Sequence, residues 1–133
     1  MCATDGAIPR ADPAPAMSHG RGTLYAGTSG FSYPGWAPRF YAPDVPRDGL
    51  LPAYAARLPA CELNNTYYRW PTEARIRAWR EATPDSFRFA LKAQRFGSYM
   101  AMRGDPRPQV ERLAAPLGAF GARLGTVLFG DRQ

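Results

Sequence analysis

Four short apolar runs, separated by stretches whose apolar residues recur at helical spacing, constrain this chain more than any other feature. The runs are residues 24–28 (Leu24-Tyr25-Ala26-Gly27-Thr28), 60–64 (Ala60-Cys61-Glu62-Leu63-Asn64), 87–92 (Phe87-Arg88-Phe89-Ala90-Leu91-Lys92) and 126–129 (Thr126-Val127-Leu128-Phe129). Each has the length of a buried strand. Between the first two, Asp48 is placed to cap a helix whose apolar positions are Leu50, Leu51, Tyr54, Ala55 and Leu58. Between the next two, Thr72 follows the helix-barring pair Trp70-Pro71 and opens a helix with Ile76 and Trp79 on its inner face and Thr83-Pro84 as its stop. A third helical stretch starts near Pro108, with Val110, Leu113, Ala114 and Leu117 apolar and Pro116 expected to break or kink it.

Strand, helix, strand, helix, strand, helix, strand is the order of parallel strands covered by helices rather than of an antiparallel sandwich. A doubly wound sheet and part of a (β/α)8 barrel both fit. No GxGxxG or GxxxxGK[ST] follows any run, which weakens a nucleotide-binding sheet and gives no cofactor to expect. Four strands make about half of a barrel of roughly 250 residues.

The composition, 45% apolar and 21% charged over 133 residues, is that of one soluble globular domain. Residues 1–22 are rich in Pro, Ala and Gly without apolar period and are expected to be a disordered tail, with residues 23–133 forming the domain. No stretch approaches a membrane span and the amino terminus lacks the apolar core of a signal peptide, so no membrane partner and a cytoplasmic location are expected. Cys2 and Cys61 form no disulfide framework. His19 is the sole histidine and falls in the tail, so no metal site is expected.

The 17 basic residues comprise sixteen arginines and one lysine, Lys92, at the end of the third run. A position that keeps a primary amine in so arginine-rich a chain is a candidate for chemistry that a guanidinium cannot perform. Alternation in the second run sends Glu62 and Asn64 to the face opposite Cys61 and Leu63, and in the third it sends Lys92 opposite Phe89 and Leu91. A carboxylate, an amide and an amine would then meet at the carboxyl ends of adjacent strands, where barrels and open α/β sheets place their sites. A buried Glu62–Lys92 ion pair that fixes strand register is the plainer alternative.

Glu62 and Lys92 are therefore the candidate catalytic pair, with Asn64 as an orienting group. The loop 27–36 interleaves glycines with Phe31, Tyr33 and Trp36, and supplies Thr28 and Ser29 as ligand contacts with Tyr33 and Trp36 as pocket walls. Tyr67 extends that aromatic wall. Arg95 leads a basic segment that also holds Arg103, Arg107 and Arg112, which suits a small anionic or phosphorylated ligand. Nucleic-acid binding through arginines and stacked aromatics is the alternative, and the lack of a recognised nucleic-acid motif counts against it.

Four ordered blocks carry a resemblance. Gly27-Thr28-Ser29-Gly30-Phe31-Ser32-Tyr33 with Trp36, Phe40-Tyr41-Ala42-Pro43, Glu62-Leu63-Asn64-Asn65-Thr66-Tyr67-Tyr68, and Trp79 with Thr83-Pro84 through Ala93 resemble the YecE-like family, domain of unknown function 72. The resemblance implies a partial TIM-like (β/α) barrel, α/β in class, with about four parallel strands, three covering helices and motif residues at the strand ends. It implies no established reaction. Where the family usually has a Thr-His pair after the third strand this chain has Ser98-Tyr99, and the sequence ends at Gln133 where the family continues. The expectation is a truncated, amino-terminal half that is not an autonomous catalyst, with edges suited to self-association or to a missing carboxyl-terminal half.

Overall fold

The structure, a computed structural model, describes residues 22–93 and 103–129. Four parallel strands, β1 (Gly27–Ser29), β2 (Ala60–Leu63), β3 (Arg88–Lys92) and β4 (Leu124–Leu128), form one sheet in the order β1-β2-β3-β4. Among the described residues three α-helices connect them: α1 (Leu50–Ala55), α2 (Glu73–Glu81) and α3 (Arg107–Gly118). The expected tail, with Cys2 and His19, lies outside the described residues, as do Arg95 and Ser98-Tyr99.

Strand order decides between the two architectures that the alternation allows. Crossovers between parallel neighbours are right-handed, so steps that all move in one direction deliver every helix to the same face. A doubly wound sheet instead reverses its order at a switch point and is covered on both faces. Here each strand lies beside the next in sequence with no reversal. The buried strand residues Cys61, Leu63, Phe89 and Leu91 all point to one face, where they meet Tyr54 from α1, Ile76 and Trp79 from α2, and Phe120. This winding is consistent with an arc of a (β/α) barrel.

Rings fill most of that core. Phe87 and Phe89 lie 4.9 Å apart and Phe89 and Phe120 5.6 Å apart, in tilted or edge-to-face pairs. Arginine side chains close its lower end. The Arg123 guanidinium donates to the Thr83 carbonyl at 2.9 Å and pairs with Asp85 at 2.7 Å, while Arg80 donates to the Ala119 carbonyl at 3.0 Å, so the end of α2 is fastened to the segment entering β4.

Several boundaries depart from the sequence reading. The first strand is Gly27–Ser29, not 24–28: the register begins at Gly27 opposite Ala60, so residues 24–26 have no strand to pair with and Leu24 is 77% exposed. Gly27 is required by close approach, since a methyl group there would lie 2.0 Å from the Ala60 carbonyl oxygen. Asp48 does not cap α1; it sits in a 3-10 turn, Arg47–Gly49, that Gly49 N–H closes on the Pro46 carbonyl, and the helix ends at Ala55. Thr72 does cap α2, accepting from Arg75 N–H at 3.3 Å. Pro116 does not break α3. It lies in the last turn, with only Leu117 and Gly118 of the helix after it, and the carbonyl that its missing N–H would have met belongs to Arg112, an exposed residue. Val110, expected among the apolar positions of α3, is 51% exposed.

Candidate functional site

The sheet face away from the helices carries Ser29, Ala60, Glu62, Ala90 and Lys92, set side by side by the register Ser29↔Glu62↔Ala90. Glu62, Asn64, Ala90 and Lys92 are half-buried, whereas Cys61, Leu63, Phe89 and Leu91 on the other face are fully buried. Polar groups thus occupy the face with access to solvent, as desolvation demands.

At the carboxyl ends of β1 and β2, the Asn64 side-chain amide donates to the Ser29 hydroxyl oxygen at 2.5 Å. The bond joins two strands through side chains and leaves the Ser29 proton and the Asn64 carbonyl oxygen free for a ligand. Asn64 initiates a 3-10 turn, Asn65–Tyr67, that carries Tyr67 over to β3, where the Lys92 ammonium lies 5.7 Å from the ring centroid. Beneath this turn the Thr66 hydroxyl lies 2.7 Å from both the Leu63 and the Lys92 carbonyl oxygens, so its one proton is shared between the ends of β2 and β3. The Glu62–Lys92 ion pair does not form: the salt bridges among the described residues are Arg107–Asp105 and Arg123–Asp85. Glu62 stands opposite Ala90, one strand over and two residues back from Lys92.

Other candidate residues are elsewhere. Thr28 points to the helix face, where its N–H donates to the Tyr54 hydroxyl at 2.8 Å and its own hydroxyl lies 2.7 Å from the Gly30 carbonyl. Tyr54 also lies 2.8 Å from the Ala60 carbonyl, so one buried phenol bridges β1 and β2. Burial pushes that phenol above its ordinary pKa, and pushes the Tyr41 hydroxyl and the Cys61 thiol up to about 12 each. Cys61 is therefore a packed apolar side chain rather than a nucleophile.

Trp36 belongs to an aromatic cluster, with ring centroids 4.9 Å from Tyr33, 5.1 Å from Phe40 and 6.4 Å from Tyr54. The Tyr33 hydroxyl donates to the Ser29 carbonyl, which folds the loop over the end of β1. Gly30 permits this, with φ +79 and an N–H donated to the Glu62 carbonyl at 2.8 Å. The structure brings together Ser29, Glu62, Asn64, Tyr67 and Lys92. It sets Thr28 on the other face and Trp36 in a packed ring cluster.

Sequence reading missed Tyr54 and Thr66, the two hydroxyls that hold the strand ends. Tyr54 was legible only as an apolar helix position, and a lone Thr in an aromatic turn carries no pattern. Among the described residues no three His, Cys, Asp or Glu side chains converge as metal ligands, and no helix is long and apolar enough to cross a membrane.

Known proteins agree with this architecture. A crystal structure of a DUF72 family protein from Enterococcus faecalis V583, at 3.10 Å resolution, superimposes with a TM-score of 0.56 and 23% sequence identity over 79% of this chain. The match covers 38% of that protein's chain, so the present chain spans well under half its length. A second structure of the same protein, at 2.52 Å, gives a TM-score of 0.47 at 22% identity. No curated protein matches. The family model described as protein of unknown function DUF72 matches residues 25–130, and the chain belongs to that family.

Proposed function

We propose that the carboxyl ends of β1, β2 and β3 form part of a binding site for a small anionic or phosphorylated ligand, and that this chain is not an autonomous catalyst. The observation that carries the reading is the hydrogen-bonded Ser29–Asn64 pair on the same open face as Glu62 and Lys92, with no ion pair between the last two. Lys92 supplies the charge, Ser29 and Asn64 the oriented hydrogen bonds, and Tyr67 and Tyr33 the walls. Arg95 would add a second cation from the segment after β3. Glu62 takes the role of acid or base once further strands enclose the site.

The open face also supports the reading that the functional unit is larger. Parallel sheets are covered on both faces, yet Thr126, Leu128 and Phe129 at β4 are exposed. Further strands, from a second copy or from another (β/α) segment, would complete the wall opposite Lys92. Light scattering after size exclusion tests this part; a stable monodisperse monomer would argue against it.

Isothermal titration with inorganic phosphate and glycerol 3-phosphate tests the site. Lys92→Met should weaken binding by about tenfold or more, the worth of one charge-assisted hydrogen bond. Equal affinity in that variant removes the lysine from the site. Borohydride trapping with carbonyl compounds addresses covalent chemistry, and labelling that persists in Lys92→Arg would exclude a Schiff base at this position.

A further inference from the structure

On the helix side of the sheet, away from Ser29, Glu62, Asn64 and Lys92, two adjoining cavities of about 500 and 330 Å³ share Asn65, Arg75 and Trp79. Together they form a trough between α1 and α2, of the size that small-molecule sites have. Its apolar lining is Phe31, Leu51, Ala78, Trp79 and Ala82. Its charged lining is Arg47, Arg69 and Arg75 against the single carboxylate of Asp48.

None of those arginines takes part in a salt bridge among the described residues. Arg75 instead lies over the apolar lining, its guanidinium carbon 5.6 Å from the Trp79 ring centroid. A guanidinium over a ring face keeps its N–H donors available to an anion. The smaller cavity is also lined by Trp70, whose indole Nε1 is buried and has no acceptor among the described residues.

We propose that this trough binds an aromatic carboxylate: a flat ring system against Trp79 and Phe31, its carboxylate paired with the Arg75 fork and within the field of Arg47 and Arg69. The charge imbalance selects an anion, and the ring-lined walls select a planar body. The trough is distinct from the strand-end site, since Ser29, Glu62, Asn64 and Lys92 do not line it.

Calorimetric titration of the full chain with 2-naphthoate and with its neutral isostere 2-naphthamide tests the proposal. Naphthoate should bind, and naphthamide should bind at least about tenfold more weakly, because a neutral amide forgoes the charge-assisted pair. Arg75→Gln should bring naphthoate to the level of naphthamide. Ala78→Phe should fill the trough and abolish binding of both; Ala78 is exposed on α2, and an unchanged circular-dichroism melt verifies that this variant folds. Equal affinity for acid and amide, or undiminished binding in Arg75→Gln or Ala78→Phe, would overturn the proposal. Lys92→Met serves as the second control: loss of naphthoate binding there would move the anion to the strand ends and overturn it as well.

Discussion

The two faces of the sheet are written by alternate residues of the same strands, yet they obey different rules. On the helix face, Cys61, Leu63, Phe89 and Leu91 are at most 4% exposed and meet rings from α1, from α2 and from Phe120 after α3. On the other face, Glu62, Asn64 and Lys92 keep contact with solvent, Asn64 bonds the Ser29 hydroxyl and Lys92 lies over the Tyr67 ring. One face holds the fold together by volume, and the other sets polar side chains side by side at the strand ends. Substitution on the first should therefore be costly in stability, and substitution on the second should be nearly silent in stability while changing binding.

The largest effect is expected for Phe89→Ala, which removes the ring touching Trp79, Phe87 and Phe120. A loss of about 3–5 kcal/mol is anticipated in urea unfolding, enough to leave the domain largely unfolded. Tyr54→Phe comes next: it keeps the ring but strands the Thr28 N–H and Ala60 carbonyl, at a cost of about 1–3 kcal/mol by the same measurement. A smaller loss would mean that β1 is held by its ladder and not by the phenol.

A third prediction concerns alkali. Burial raises the Cys61 thiol from its ordinary 9.0 and the Tyr41 hydroxyl from its ordinary 10.0, each to about 12. Both groups thus hold their protons more tightly folded than unfolded. The stability they contribute is complete below about pH 9 and is lost as pH rises to about 12. Melting temperature followed by circular dichroism should fall through that window, and Cys61→Ala should flatten its lower part. An identical slope in the variant would show that the thiol does not contribute.

The smallest effect belongs to the open face. Lys92→Met should change stability by no more than about 0.5 kcal/mol, since the ammonium makes a half-exposed contact with one ring. A loss comparable to that of Tyr54→Phe would erase the contrast between the faces.

Much of the contrast was legible in the sequence, because a period of two needs only the identity of residues 60–64 and 87–92 to assign faces. The helix at 73–81 was equally plain, with Thr72 before it and Ile76 and Trp79 inside. Strand ends were harder. Leu24 and Tyr25 are apolar enough for a strand, but pairing is a property of the neighbour, and β2 offers no backbone to them. Of the site, Glu62, Asn64 and Lys92 could be assigned to one face, whereas the Ser29–Asn64 bond needed the register between β1 and β2, which local pattern does not contain. Thr28 and Ser29, adjacent in sequence, point in opposite directions in a strand, so which of them shares the face of Glu62 also needed the register.

The shared proton of Thr66 has a consequence for how such a site can change over time. It fastens the turn after β2 to main-chain carbonyls at Leu63 and Lys92, groups that every residue type possesses. Side chains around it can therefore be exchanged without shifting the frame on which they are mounted. The surrounding residues can be replaced alone, while the strand ends keep their spacing.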